Sequence, residues 1–240
     1  MAGKLDRIKQ AQIEAAKESG ADHPYIVVDT AKPEAEKTVV RPVGTDFGRL
    51  EHYQAAMDAD LNSLKDLKTL DEKQAAKKTM IETYWGFVKS YMDNGDAYTN
   101  RIAVQLMIWL FDTLDIERAL NLAFHLIEQG IQQMPPRFER RDLPTFVCDA
   151  SYDWANELLK KEQSASPYLD AVVAHIDNDK WSLSPPVQSK MYALLAKHKN
   201  REGDWLNCIA LCEKAEAVNP EGAGVKTMKE KAQKNLKPTE

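Results

Sequence analysis

Apolar residues recur at steps of three and four along most of this chain, which is the spacing of a helical face. Two such stripes follow one another, separated by Asp71 and Glu72. The first consists of Leu50, Tyr53, Met57, Leu61, Leu64, Leu67 and Leu70, and the second of Ile81, Tyr84, Val88 and Tyr91. So short a break predicts a long antiparallel helical hairpin over residues 49–95. A second subunit can complete the apolar face that such a hairpin leaves open, so the hairpin is a candidate for oligomerisation.

Residues 105–129 and 192–219 each contain the same helix–turn–helix pattern. An apolar helix stops at a short polar turn that holds Asp115 or Asp204, and small residues at four-residue steps in the next helix favour close antiparallel packing. We expect Asp115 to cap the helix that follows. The second copy fits tetratricopeptide spacing, and the first fits it more loosely. Residues 96–240 are therefore predicted to form an α-helical hairpin domain with a tetratricopeptide-like C-terminal unit.

Prolines divide the rest of that domain. Pro135 and Pro136 are expected to end the first helix pair. Prolines open the later helices, which we predict at about 144–161, 167–176, 186–201, 205–218 and 222–236.

Residues 1–48 differ from the remainder. Residues 4–18 can form a short helix, whereas glycines, prolines and β-branched pairs over 20–48 predict an extended arm or linker. This arm either docks on a neighbouring subunit or acts as a mobile tether. The predicted fold class is all-α, with an extended N-terminal arm.

Composition and charge restrict the possible functions. The formal net charge of −5 argues against a surface that is positive all over, so a nucleic-acid-binding protein of this kind needs a local basic patch or an oligomer. Three cysteines fit a reducing compartment. No signal-peptide core and no run of roughly 18 apolar residues is present, so we expect a soluble cytoplasmic protein without a membrane partner. Neither GxxxxGK[ST] nor GxGxxG occurs, and no cofactor is expected.

Acidic pairs beside turns are candidate metal ligands. Asp112 with Asp115, and Asp93 with Asp96, have the residue types that can hold Mg²⁺ for phosphodiester cleavage. The favoured alternative is that Asp115 and Asp96 are helix N-caps. No residue is therefore assigned a catalytic or metal-binding role on this pattern.

Two further clusters have the same two interpretations. Asp149, Asp153 and Glu157 share one helix face and form either an acidic metal row or, as we favour, a solvated face neutralised by nearby lysines 160 and 161. Cys208 and Cys212 are one turn apart and either begin a zinc site or, as we favour, are buried core thiols.

Basic residues form the more informative clusters. The predicted phosphate contacts are, first, Lys65, Lys68, Lys73, Lys77 and Lys78, where the hairpin turns, and second, Arg137, Arg140 and Arg141, after the double proline. Lys4, Arg7 and Lys9 form a smaller N-terminal group. A ring of subunits would multiply a modest patch, while a solvated charged face is the alternative.

Three blocks of sequence resemble a known family. The residues that carry the resemblance are Ala75-Ala76-Lys77-Lys78, Tyr84-Trp85, Met107-Ile108-Trp109-Leu110, Asp112-Thr113-x-Asp115-Ile116, Ala119-Leu120, Gly203-Asp204, Gly224-Val225-Lys226 and Leu236-Lys237-Pro238. Over about residues 65–238 the chain resembles the small terminase subunit of peduovirus-type tailed phages, often called the terminase endonuclease subunit.

The resemblance implies a role in DNA packaging. It implies a ring-like homo-oligomer that binds double-stranded phage DNA near the cos site and delivers it to the large ATPase subunit. We interpret cleavage as directed by this subunit and performed by the large one. Two alternatives stay open: a metal-dependent endonuclease that uses the Asp112 pair or the Asp149 row, and a tetratricopeptide-like adaptor that grips a peptide in the groove of residues 186–236.

Overall fold

The structure, a computed structural model, describes residues 45–138, 140–178 and 181–236. Within these ranges the chain forms helices and no strand, so the all-α prediction is confirmed. The helices are α1 (Thr45–Asp66), α2 (Leu70–Asp93), α3 (Arg101–Asp112), α4 (Ile116–Gln129), α5 (Leu143–Lys160), α6 (Tyr168–Asp177), α7 (Pro185–Arg201), α8 (Trp205–Val218) and α9 (Lys226–Leu236), with a short 3-10 turn at Pro136–Phe138.

The predicted N-terminal arm meets the described residues only at its end. The arm was expected to extend through residue 48, but α1 already begins at Thr45. The helix predicted over 4–18, the basic group at its start and the arm up to residue 44 lie outside the described residues.

Helices α1 and α2 run antiparallel. The ring centroids of Tyr53 and Phe87 are 4.6 Å apart, and the Tyr84 hydroxyl donates to Asp60 Oδ2 at 2.6 Å. As the first helix is followed forwards, its contacts move backwards along the second.

The break between these helices differs from the prediction. It lies at residues 67–69, not at Asp71 and Glu72. The Thr69 side chain accepts from the Glu72 amide at 3.1 Å, and the Glu72 carboxylate accepts from the Thr69 amide at 2.9 Å. This reciprocal capping box places Asp71 and Glu72 in the first turn of α2. Their negative charges there interact favourably with the positive end of the helix dipole.

The first two turns of α2 project past the end of α3. Leu70, Gln74 and Lys77 continue the buried stripe of Ile81 and Tyr84 at four- and three-residue steps. Lys77 reaches the final residue of α3, whereas Leu70, at the start of α2, is 70% exposed. We refer to residues 64–76 as the hairpin tip.

Helix α3 is the centre of the core. Nine of its twelve residues are buried, so the helix is enclosed on several faces. It packs against α2 and α4. Helix α4 ends at Gln129, before the double proline, because Gly130 adopts a left-handed φ of 64°.

The remaining helices add to this core in chain order. Proline 144 lies in the first turn of α5, as predicted, and α6 and α7 also begin close to their predicted prolines. Helix α7 packs along α8, where Cys208, Cys212 and Ala215 are fully buried, and α9 starts four residues later than expected. Among the described helices, none has the length and apolarity needed to cross a membrane.

Candidate nucleic-acid interface

The lysines predicted to contact phosphate lie in two kinds of environment. Lys65, Lys68 and Lys78 are exposed, and Lys73 is half-buried. Lys65 Nζ donates to Asn62 Oδ1 at 2.8 Å, a local contact on the helix surface. The hairpin thus presents at least three ammonium groups to solvent at or beside its tip.

Lys77 is held inside the chain. Its Nζ lies 2.6 Å from Asp112 Oδ2, and its side chain is only 16% exposed. The ion pair joins α2 to the end of α3, so Lys77 contributes less free positive charge than the sequence alone indicated.

The predicted arginine contacts are partly engaged as well. The Arg141 guanidinium lies 3.2 Å from Asp149 Oδ2, and that of Arg137 lies 5.5 Å from the ring centroid of Phe138. Arg140 is exposed. Together these residues line an open depression beside Pro136.

Aromatic contacts show where the segment that carries Arg137, Arg140 and Arg141, the arginine segment, lies relative to α3. The ring of Phe138 packs on Phe146, whose ring in turn lies 6.0 Å from that of Phe111 in the last turn of α3. The arginines therefore lie towards the end of α3 that also contacts Lys77.

Of the four aspartates in the acidic pairs at the turns, three pair with a cation, namely Asp93, Asp112 and Asp115. Asp112 pairs with Lys77, and Asp115 caps α4 and lies 2.6 Å from Arg118 Nη2, so the N-cap interpretation of Asp115 is confirmed. The same interpretation of Asp96 is wrong. Asn100 caps α3 by accepting from the Ala103 amide at 3.1 Å.

Two of the three residues in the acidic row on α5 are also paired. Asp149 Oδ1 lies 2.5 Å from Lys190 Nζ, and Glu157 lies 2.5 Å from Lys160, one of the two lysines predicted to neutralise the row. The Lys190 contact was not foreseen, because α7 follows 25 residues after α5 ends. Among the described residues, no three His, Cys, Asp or Glu side chains come together as a metal site would require.

All three cysteines are buried, so the core-thiol interpretation of Cys208 and Cys212 is confirmed. Burial raises the pKa of Cys148 and that of Cys212 to about 12.

The turns of the two helix–turn–helix units have the same backbone. Asp115 N–H donates to the Leu110 carbonyl, and Asp204 N–H to the Lys199 carbonyl, each at 2.9 Å. The residue before each aspartate is left-handed: Leu114 has a φ of 62° and Gly203 a φ of 75°. The sequence did not reveal the Leu114 conformation, because leucine disfavours it.

Beside Leu114 lies a shallow depression on the surface. It is lined by Thr113, Leu114, Asp115, Ile116, Glu117, Trp154 and Tyr168. Leu114 is 67% exposed, and the Tyr168 hydroxyl donates to Glu117 Oε2 at 3.3 Å. The depression combines apolar surface with two carboxylates.

Comparison with known proteins identifies the family. The family model of the phage small terminase subunit matches residues 54–183, more than half of the chain. The chain belongs to the phage small terminase subunit family.

Two relatives support the same assignment. This small terminase subunit is 31% identical over 210 residues to the probable terminase endonuclease subunit of Haemophilus phage HP1, covering 82% of this chain and 72% of that protein. It is 23% identical over 194 residues to the terminase endonuclease subunit of Escherichia phage P2, covering 78% and 74%. No solved structure matches the chain.

The region that the family model matches includes some of the features described above and excludes others. It includes the hairpin tip, the arginine segment and the Leu114 depression of this small terminase subunit, and it stops before α7. The turn with Gly203 therefore lies outside it.

Proposed function

We propose that this small terminase subunit recognises double-stranded phage DNA near the cos packaging site in the host cytoplasm. It assembles into a homo-oligomer, a ring, and directs the DNA to the large ATPase and nuclease subunit for cleavage and packaging into the capsid. The observation that carries this proposal is the group of exposed lysines at and beside the hairpin tip, in a chain of this family.

The lysines suit contact with the DNA backbone. Lys65 and Lys68 lie at the turn, and Lys78 follows two helical turns into α2, so several ammonium groups can meet successive phosphates. Of the nearby carboxylates, Glu72 is engaged in the capping box. In this proposal Lys73 and Lys77 are weaker contacts, and Arg137, Arg140 and Arg141 form a secondary contact.

Such contacts supply affinity more than sequence preference. Repetition of one tip in each subunit of an oligomer would concentrate positive charge in a protein whose net charge is −5.

We assign cleavage to the large subunit. Phosphodiester hydrolysis with Mg²⁺ requires carboxylates that converge on the ion. Asp112, Asp115 and Asp149 are instead paired with Lys77, Arg118 and Lys190. A second candidate function is cleavage by this chain itself, which the printed names of both relatives, each an endonuclease subunit, favour.

A salt titration tests the DNA contact. We expect the double variant Lys68→Ala/Lys78→Ala to bind all duplex DNA more weakly and to reduce the slope of log K against log salt by about 2. The matched control is Lys161→Ala/Lys197→Ala, which removes one exposed lysine that follows the last residue of α5 and one exposed lysine of α7. Equal slopes for the two double variants would refute the placement of the contact.

The same binding assay on cos DNA and on an unrelated fragment, with Mg²⁺ present, separates the functions. A shift selective for cos DNA that leaves it intact supports a recognition subunit. Nicked DNA would establish the nuclease. Binding to neither fragment, with or without the large subunit, would overturn the proposal in favour of the adaptor.

A further inference from the structure

The arginine segment is folded around one aromatic ring. The Phe138 amide donates to the Pro135 carbonyl at 2.7 Å, and the Phe138 carbonyl accepts from the Arg141 amide at 2.9 Å. Two consecutive turns therefore meet at Phe138. They bring all three arginines of the segment into one open depression with this ring.

The Phe138 ring is a fixed platform. It is half-buried, and its centroid lies 5.4 Å from that of Phe146, which packs against Phe111 in turn. The central carbon of the Arg137 guanidinium lies 5.5 Å from the centroid of the Phe138 ring, within the range of a cation–π contact. Because Arg137 is exposed, a ligand can reach the planar group that the ring supports. A nucleic-acid base can stack on such a group.

A second pair of a cation and an aromatic ring lies next to the arginine segment. Asp149 lies 3.2 Å from the Arg141 guanidinium and 2.5 Å from Lys190 Nζ. Lys190 Nζ in turn lies 5.1 Å from the ring centroid of the half-buried Tyr152. The two cation–ring pairs are therefore linked through Arg141 and Asp149. We call the four cations and the two rings the stacking strip, which consists of Arg137, Phe138, Arg140, Arg141, Tyr152 and Lys190.

We propose that the stacking strip binds single-stranded DNA, with an unpaired base on the Arg137 guanidinium and the adjoining phosphates at Arg140 and Arg141. The exposed part of the Tyr152 ring offers a place for a further base of the same strand. This inference rests on the proposed function for DNA as the ligand, and it gives the arginine segment an unpaired strand as its main substrate.

The aromatic contacts favour an unpaired strand over a duplex. In a duplex the bases stack on one another, so a protein reaches only phosphates and the edges of the bases in the grooves. An unpaired base is free to stack on a side chain, and such stacking tolerates any base. The hairpin tip, residues 64–76, contains lysines but no aromatic residue. The two basic clusters therefore suit different forms of DNA.

The charge of the strip fits a ligand that is held mainly by stacking. Residues 137–142, together with Asp149 and Lys190, contain four cations and three carboxylates, and one of the carboxylates, Asp142, caps α5. So small an excess of positive charge predicts a weak dependence of binding on salt, because few counterions are released. An acidic peptide would depend on that excess alone, so it fits the strip less well than a strand whose bases can stack.

Fluorescence anisotropy of the full chain tests the ligand, with a labelled oligodeoxythymidine of about 12 nucleotides as the single strand. We expect Arg137→Lys to weaken its binding by about fivefold or more, because lysine keeps the charge but lacks the planar group. Arg49→Lys is the matched control, since Arg49 is exposed on α1 and lies outside the strip, and it should leave binding unchanged.

A duplex of the same length provides the reciprocal comparison. Arg137→Lys should leave duplex binding unchanged, because the charge is kept, whereas Lys68→Ala/Lys78→Ala should weaken duplex binding and leave that of the single strand unchanged. Binding of the single strand should also depend less steeply on salt than binding of the duplex. Circular dichroism of each variant checks that it remains folded.

The outcomes separate this inference from the proposed function. Duplex binding without single-strand binding, or single-strand binding that is indifferent to Arg137→Lys, overturns this inference alone. A chain that binds neither form of DNA overturns both. Thymidine monophosphate or poly-glutamate that competes as strongly as the oligonucleotide would show that a free nucleotide or an acidic peptide fills the strip, and would overturn the single strand as its ligand.

Discussion

The turn between α3 and α4 and the turn between α7 and α8 have matching hydrogen bonds and nearly the same backbone angles. Gly203 adopts the left-handed conformation of its turn without a steric penalty, whereas Leu114 pays one. Leu114 is also largely exposed, so the folded chain gains little from its side chain. The conformation of Leu114 therefore lowers the stability of the first turn and exposes an apolar side chain to solvent. Gly203 does neither in the second turn.

The cores behind the two turns differ as well. The carbonyl of Trp109 accepts the Thr113 amide in the first turn, and that of His198 accepts the Glu202 amide in the second. Both side chains are buried at equivalent positions. The first unit is therefore held by a large apolar ring and the second by a smaller polar one.

The largest expected effect comes from truncating these two rings. Trp109→Ala should lower the free energy of unfolding by about 3–5 kcal/mol through lost burial and a cavity. His198→Ala should lower it by about 1–3 kcal/mol, because the buried hydrogen bond from Nε2 to the Ala155 carbonyl, 3.0 Å long, is lost. Urea denaturation measures both. Equal losses would mean that the two units contribute alike.

The next largest effect should be a dependence of stability on pH that comes from His198 in the second unit and has no counterpart at Trp109 in the first. Burial lowers the pKa of His198, so the folded chain keeps this ring neutral while the unfolded chain protonates it below about 6.5. Stability should then fall with decreasing pH, at up to about 1.4 kcal/mol per pH unit for this proton. Trp109 does not titrate. His198→Gln should flatten the profile.

His125 remains in that variant, and burial lowers its pKa in the same direction. The relevant quantity is therefore the difference between the wild-type and His198→Gln profiles of unfolding free energy. Parallel profiles from pH 7 to pH 5 would contradict the assignment.

An exchange of residue types between the two left-handed positions should change the free energy of unfolding in opposite directions. Leu114→Gly should stabilise the chain by about 1 kcal/mol, and Gly203→Leu should destabilise it by about the same amount. A Cβ atom at Gly203 would approach nothing closer than 3.9 Å, so the second effect comes from the backbone.

Thermal unfolding measures both changes. A Leu114→Gly variant that is less stable than wild type would show that Leu114 has a packing role within the chain.

The smallest effect concerns the ion pair that ties α2 to the first unit. Lys77→Ala should lower the unfolding free energy by about 0.5 kcal/mol, because the pair is partly exposed. Lys78→Ala is the matched control and should have no measurable effect. Chemical denaturation in low and high salt checks whether the difference between them shrinks as screening increases.

Local patterns predicted much of this fold. The Asp115 cap and the prolines at the helix starts each depend on a few neighbouring residues, and the structure agrees with them. The capping box of Thr69 and Glu72 is equally local, but we interpreted Asp71 and Glu72 as a break between two helices rather than as the first turn of α2. At Asp96, an asparagine four residues later took the capping role, which spacing alone could not decide.

Contacts between distant segments could not be read from the sequence. The lysine partners of Asp112 and Asp149 lie 35 and 41 residues away, on helices whose packing the periodicity does not specify. The conformation of Leu114 was also hidden, since leucine carries none of the usual signals of a left-handed residue. The lysines at residues 65–78 were visible as a cluster, but the sequence did not show that Lys77 is held in an ion pair while Lys65, Lys68 and Lys78 are exposed.

The burial of all three thiols makes the chain suitable for site-specific labelling. Cys148, Cys208 and Cys212 are fully buried, and a raised pKa leaves little thiolate on Cys148 or Cys212 at neutral pH. A maleimide dye should therefore not label the native chain. A single cysteine introduced at the exposed Thr227 would carry all the fluorescence, so that energy transfer between labelled subunits could be followed without first replacing any native residue.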